Sequence, residues 1–373
     1  MKKFQITAGI LAILCLLTIG ISTLVQNRFA GKLTSQQVCE RWASDGSRYA
    51  QLSAFISPNA GYDVGQAGYS LPTAIDSALV NASISAANDS ARLYISAYSA
   101  EADVTLSMRS QETGQIAKSG VGAAAMGVGA DFFQFHQLKL LSGQYFDPTE
   151  EILNDQIIID NNLAWQFFGS PDVVGKELLV NGRRCFISGV CEVDEDYARF
   201  YGEKGRIFMS YSLLSELNGE LPITCVELCM PDPVKGFALD ILKQNLGAQE
   251  KYVEYVENSA RFTDSGLLSR LGSFSERSVR ERLVTYPYWE NTAVMLVDKA
   301  AILYIFKLIP MVLLVLLILS ELILAYVKRR AIIGFIGTHI RSAAGRLGAA
   351  WRRFRLNRKP RKNNTLPEKE ITQ

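Results

Sequence analysis

An uncharged apolar run, residues 6–25, and a second apolar run, residues 308–327, bracket this chain. Each is about 20 residues long. At about 1.5 Å of helical rise per residue, each reaches about 30 Å, the thickness of a bilayer's hydrocarbon core. The intervening residues have the mixed composition of an ordinary folded domain. This layout predicts two transmembrane helices around one large domain held outside the cytoplasm. It narrows the function classes before any motif is read.

Charge predicts the orientation. Residues 328–373 carry 13 Lys/Arg against two acids, Glu368 and Glu370, a charge of +11. Residues 4–327 carry 24 basic and 35 acidic residues, a charge of −11, so the net +2 of the whole chain hides a strong polarity. Lysine and arginine beside a span mark its cytoplasmic side. Lys328, Arg329 and Arg330 abut the second run, which places the C-terminus inside, and two spans return the N-terminus to the same side. The first run is longer than a usual signal-peptide core and lacks a small-x-small cleavage site. Cys15 follows Leu14 rather than a small residue. A retained anchor is therefore expected. The predicted segments are 1–27 for the N-terminus and first span, 28–288 for the extracytoplasmic domain and 289–307 for a stalk helix. Residues 308–327 form the second span, and 328–373 a basic cytoplasmic amphipathic helix and tail.

Within the domain, residues 34–53 have near-helical spacing at Val38, Trp42 and Tyr49. Leu71-Pro72-Thr73 predicts a helix start, because proline's missing N–H has no partner in a first turn anyway; Ile75, Ala78 and Leu79 are its inward positions. Residues 93–98 and 104–108 read as two strands, the second with Val104, Leu106 and Met108 alternating with polar neighbours. Residues 156–160 read as a buried strand, and 162–168 as a helix with Leu163, Ala164, Phe167 and Phe168 inward, ended by Gly169. Asn181-Gly182 between two apolar triplets predicts a type I′ hairpin. A strand over 223–230 and a helix near 233–246 come next. Pro287 precedes a helix that runs from Trp289 into the second apolar run, with Pro310 as its expected kink. Helices and strands are mixed, so the predicted class is α+β. No Gly/Ser linker separates the domain from the second run, so the two are expected to be mechanically coupled.

Catalytic motifs are weak. Gly169 to Lys176 has five residues between its glycines, and Glu177 stands where a phosphate loop needs Ser/Thr. Gly120-x-Gly122 and Gly127-x-Gly129 lack dinucleotide spacing and read as structural glycines. The chain has two histidines. Of these, His136 is the one a surface hydrolase would need, and its Phe-rich setting favours packing. Cys185/Cys191 and Cys225/Cys229 lack zinc spacing. On strands, each pair faces one side about 20 Å and about 13 Å apart, too far for a disulfide within the pair. A cross-pair between one of Cys185/Cys191 and one of Cys225/Cys229 stands against buried free thiols. Asp194-Glu195-Asp196 reads as a solvated turn. Glu321, a carboxylate inside the second run, predicts a helix–helix contact or snorkelling. Ile336, Ile340, Ala343, Leu347, Trp351 and Phe354 form an apolar stripe among arginines, suited to an anionic membrane face or a partner.

Four blocks carry a family resemblance. Residues 128–133 (Val-Gly-Ala-Asp-Phe-Phe) lead to 138–146 (Leu-Lys-Leu-Leu-Ser-Gly-Gln-Tyr-Phe). Ile157 to Asp160 is followed by Leu163-Ala164 and Phe167-Phe168-Gly169. Asp172-Val173-Val174-Gly175-Lys176 comes next, and then Val180-Asn181-Gly182 with Phe186-Ile187-Ser188-Gly189-Val190. In this order they resemble the MacB-like periplasmic core domains of FtsX-like ABC transporter permeases. The chain is similar to a two-span variant without the family's last two spans. After the second run, Ile332 stands where the family's Arg-x-x-Glu-Ile-Gly motif has its acid. The resemblance implies an extracytoplasmic domain of mixed strands and helices, and a non-enzymatic permease-like or accessory subunit in a bacterial cell membrane. The partners it implies are an ABC ATPase subunit, a multi-span permease and a homo- or hetero-dimer mate, with no nucleic acid, cofactor or metal. A stand-alone membrane-anchored sensor or binding module is the alternative. The residues expected to contact partners or to couple the domain to the cytoplasm are Trp289, Glu290, Pro310, Glu321, Arg329, Arg330 and Trp351.

Overall fold

The computed structural model describes residues 2–43, 47–86, 91–110, 113–149, 154–193, 204–273 and 284–327, with isolated positions 344, 345, 348 and 351. It divides into two compact units, Gly20–Lys307 and, separately, Met1–Ile19 with Leu308–Gln373. The elements are α1 (Lys2–Gly31), α2 (Val38–Trp42), β1 (Tyr49–Ile56), α3 (Leu71–Asn81), β2 (Ile95–Arg109), β3 (Ile116–Ala130) and α4 (Phe132–Phe135). After them come β4 (Leu140–Gly143), β5 (Gln156–Asp160), α5 (Asn161–Phe168), β6 (Glu177–Val180), β7 (Arg183–Cys191), β8 (Gly205–Ser210) and α6 (Tyr211–Asn218). The last are β9 (Cys225–Pro231), α7 (Phe237–Asn245), β10 (Val253–Glu257), α8 (Asp264–Gly272) and α9 (Tyr288–Val327). The class is α+β.

Among the described residues the strands form one sheet ordered β10-β1-β9-β2-β3-β8-β5-β7-β4, with β6 paired to β2 and β7. Most pairs are antiparallel; β3–β8 and β5–β7 are parallel. Alternation along β9 separates two cores. Val226, Leu228 and Met230 join a cluster with Ile75, Leu79 and Leu242 from α3 and α7. Cys225 and Cys229 face the other side, with Phe55, Phe132, Phe135 and Trp289. A third cluster packs α5 and α6 on β5, β7 and β8.

Several expectations hold. β5 occupies 156–160, and Ile157, Ile158 and Ile159 are all buried, as befits a strand covered on both faces. The Asp160 carboxylate accepts from the Leu163 N–H at 2.8 Å and starts α5; Gly169 ends it at φ 68°. Phe168 is half-buried and packs against the same core. The hairpin turn has positive φ at both Asn181 (47°) and Gly182 (85°). Helix α3 begins at Leu71 with Pro72 in its first turn and buries Leu71, Ile75 and Leu79.

Other expectations fail for physical reasons. Residues 34–53 are not one helix: a single-turn 3-10 helix and α2 give way to β1. Hydrogen bonding to β9 and β10 on both sides overrides the local spacing there. The two short strands at 93–98 and 104–108 are one strand, β2. Its partner β3 is invisible to propensity because glycine and alanine dominate it. Gly129 lies opposite Tyr98, and a Cβ there would come within 2.1 Å of the Tyr98 ring, so the aromatic occupies the missing side chain's space. Helix α7 starts at Phe237, after Gly236 at φ 92°, later than expected. No cross-pair between Cys185/Cys191 and Cys225/Cys229 is formed. Cys185 sits in the core under α5, opposite Cys225 and Cys229, and Cys191 shares their core but from β7, which does not neighbour β9 in the sheet.

Candidate functional site

The start of α9 meets the sheet in a buried polar and aromatic cluster. Trp289 packs against His136 (ring centroids 4.2 Å), Phe132 (5.9 Å) and Tyr288 (5.1 Å), while His136 stacks on Phe132 at 4.5 Å. His136 Nε2 meets Glu227 Oε2 of β9. Glu227 Oε1 accepts from Ser53 Oγ at 3.4 Å, and Ser53 Oγ accepts from Asn258 Nδ2 at 2.8 Å. The order Ser–Glu–His is wrong for a nucleophile: a triad needs the histidine between the hydroxyl and the acid. Ser53, His136 and Glu227 are also all buried. They therefore form a structural network that fixes α4 and β9 under Trp289.

One turn of helix supplies the second anchor. Arg261 Nη2 donates to both Glu290 carboxylate oxygens at 2.6 Å, and both side chains are buried. Burial raises the Glu290 pKa from its ordinary value, outweighing Arg261; Glu254 and Glu227 push the same way. The Arg206 guanidinium lies over the Tyr288 ring at 3.5 Å. Further along, Arg270 Nε donates to Asp298 at 2.7 Å and Lys307 to Asp264 at 3.0 Å, joining α8 to α9.

Between these ion pairs, α9 buries Ala293, Leu296, Val297, Ala300, Ala301 and Tyr304, a stripe at helical spacing. It packs on Leu267 of α8, on Phe262, and on Phe29 and Leu33 at the end of α1. Gln26 Nε2 of α1 donates to the Ala300 carbonyl at 3.3 Å. A cavity of about 350 Å³ opens beside this clasp, with Lys32, His136, Lys139 and Trp289 in its wall. The Trp289 indole N–H is buried and has no acceptor among the described residues.

Trp289 and Glu290 thus lie inside the domain and bind its own side chains. Pro310 lies within the helical run of α9, and Glu321 is half-buried. Trp351 is 67% exposed. Arg329, Arg330, the rest of the apolar stripe and residues 194–196 lie outside the described residues. Sequence reading missed Arg261, Glu227, Arg270 and Asp298. The spacing of Glu290 and Asp298, eight apart on one helix, nearly matches the nine between Arg261 and Arg270. That was the available signal. No group of three or more metal-ligating side chains occurs among the described residues.

A mixed sheet domain between two helices long and apolar enough to cross a membrane, Gln5–Gly31 and Tyr288–Val327, defines the class of an extracytoplasmic domain on membrane anchors. The chain belongs to the MacB-like periplasmic core domain family, which it matches over residues 6–227. It is therefore a membrane protein carrying the MacB-like periplasmic domain of an ABC-type transporter permease. It is 32% identical over 93 residues to the macrolide export ATP-binding/permease protein MacB of Chromobacterium violaceum, covering 25% of this chain and 14% of that protein. It is 25% identical over 154 residues to the protein of the same name from Neisseria gonorrhoeae, covering 38% of this chain and 23% of that one. The chain thus spans less than a quarter of the length of these relatives. Among solved structures, the periplasmic region of MacB from Actinobacillus actinomycetemcomitans is 16% identical at a TM-score of 0.39, covering 62% of this chain and 94% of that one. The extracellular domain of the noncanonic ABC-type transporter YknZ from Gram-positive bacteria is 14% identical at a TM-score of 0.36, covering 56% of this chain and all of that one.

Proposed function

We propose that the protein is a non-enzymatic component of an ABC-type transporter complex in a bacterial cell membrane. Its extracytoplasmic domain binds a partner or substrate, and α9 relays movement between that domain and the cytoplasmic side. Family membership supports the transporter setting. The observation that carries the relay is the clasp on the first half of α9: two buried anchors, two further ion pairs and an apolar stripe hold it to the sheet domain. A helix held this way moves with the domain instead of swivelling on it. Both termini lie inside in this reading, from the lysine and arginine excess after the second apolar run. Glu321, Pro310, Arg329, Arg330 and Trp351 then serve contacts within the membrane and at its inner face, toward an ATPase, a multi-span permease or a second copy.

The test is a mild-detergent pull-down of the tagged protein at native abundance, with mass spectrometry of the co-purifying proteins. Recovery of an ABC ATPase and a multi-span permease at near-equal amounts is expected. A lone monomer would overturn the transporter reading and leave a stand-alone sensor or binding module.

A further inference from the structure

The Sγ atoms of Cys39 and Cys229 lie 2.7 Å apart. Non-bonded carbon atoms already prefer about 3.5–4.0 Å, and sulfur is larger, so two independent thiols do not settle at this separation. The residues are 190 apart in sequence, so no local turn forces them together. Cys229 is fully buried on β9, in register with Gln51 of β1 and Ile95 of β2, on the face that also carries Glu227. Cys39 is half-buried on α2, which packs on the same face through Val38. The backbone of α2 is pinned there independently: Gln51 Oε1 accepts from the Val38 N–H at 3.0 Å.

We propose that Cys39 and Cys229 are joined by a disulfide that ties the segment leaving α1 to the central strand of the domain. The inference rests on the extracytoplasmic placement of the domain, where disulfides persist. The chemistry is thiol–disulfide exchange with an extracytoplasmic protein disulfide as oxidant. The more accessible Cys39 loses its proton, and its thiolate attacks the donor disulfide, expelling one donor thiolate. The Cys229 sulfur then loses its proton and attacks Cys39 Sγ, expelling the second donor thiolate. One S–S bond forms in the protein and one breaks in the donor. Two electrons pass to the donor, whose two thiolates take up the two protons.

The arrangement suits a structural rather than a cycling bond. The neighbouring Cys39 and burial both hold the Cys229 thiol far above its ordinary pKa, so the reduced form gains nothing from ionising. The bond would fix α2 two residues along β9 from Glu227, and so fix the end of α1 to the strand that supports Trp289. Both apolar helices would then be anchored to the same strand of the domain.

The experiment is thiol counting on the full-length protein, trapped in cells with an alkylating maleimide, denatured, and mapped by non-reduced peptide mass spectrometry. Four alkylated cysteines before reduction and six after, with one linked peptide pair containing Cys39 and Cys229, are expected. Cys39→Ser and Cys229→Ser should each raise the unreduced count to five. Reducing the wild type should lower Tm by about 5–10 °C and leave Cys39→Ser unmoved. Six free thiols in the wild type, or a linkage using Cys185, Cys191 or Cys225, would overturn the proposal.

Discussion

The two halves of α9 are built on opposite rules. Over residues 288–304 it behaves as a core helix: every third or fourth side chain is buried, and Arg261 and Arg270 pair with its acids. Beyond residue 304 the pattern inverts. Phe306, Ile309, Leu322 and Ile323 are each more than half exposed, and no charged side chain follows Lys307 until Glu321. The first half is specified by directional contacts to named partners. The second is specified by apolar character alone, as suits a lipid environment. One continuous helix therefore carries a specific attachment at one end and a solvent preference at the other.

The largest effect that would break this contrast is expected at Arg261. Arg261→Ala leaves a buried carboxyl that must take up a proton or stay unpaired. It should cost about 3–5 kcal/mol in denaturant unfolding of the full chain. Replacing Arg261 and Glu290 together by methionine should restore most of that loss. Trp289→Ala, which empties the space against Phe132 and His136, should cost about 3 kcal/mol or more by the same measurement. Gly129→Ala, driving a methyl into the Tyr98 ring, should cost about 1–3 kcal/mol through the sheet rather than the clasp. The partly exposed Arg270–Asp298 pair should be worth no more than about 1 kcal/mol, read as Arg270→Ala. At the far end, Val312→Ala should leave domain unfolding unchanged to within about 0.5 kcal/mol. An effect there as large as at Arg261 would erase the distinction between the halves.

Acid titration bears on the first of these halves. Burial lifts the Glu290 carboxyl above its ordinary value of 4.5. A raised acid binds its proton more readily in the folded than in the unfolded chain. Its contribution to stability is complete below 4.5 and is lost as pH climbs through the raised folded value. Glu290→Gln should flatten that slope in a pH series of unfolding midpoints.

The sequence declared what periodicity and turn chemistry encode. The β5–α5 unit, the Asn181-Gly182 turn, the start of α3 and the apolar ends were all legible because each depends on neighbours within a few residues. The strand β3 was not, since its glycines make sense only with Tyr98 laid across them from β2. Nor was the helical spacing of Val38, Trp42 and Tyr49 decisive, because pairing on both edges of β1 outweighed it. The site was half legible. Trp289 and Glu290 stood out beside Pro287. Their partners Arg261, Glu227 and His136 lie 29, 62 and 153 residues away in the chain, and nothing local announces them.

The clasp makes residues 288–304 part of the domain's cooperative fold. Amide hydrogen exchange on the full-length protein in detergent tests this without reference to any partner. Amides of residues 292–304 should exchange as slowly as those of β9 and open with them, and Arg261→Ala should speed the helix selectively. Fast exchange across residues 292–304 in the wild type, with β9 still protected, would show that the helix is only loosely attached and that no such clasp exists.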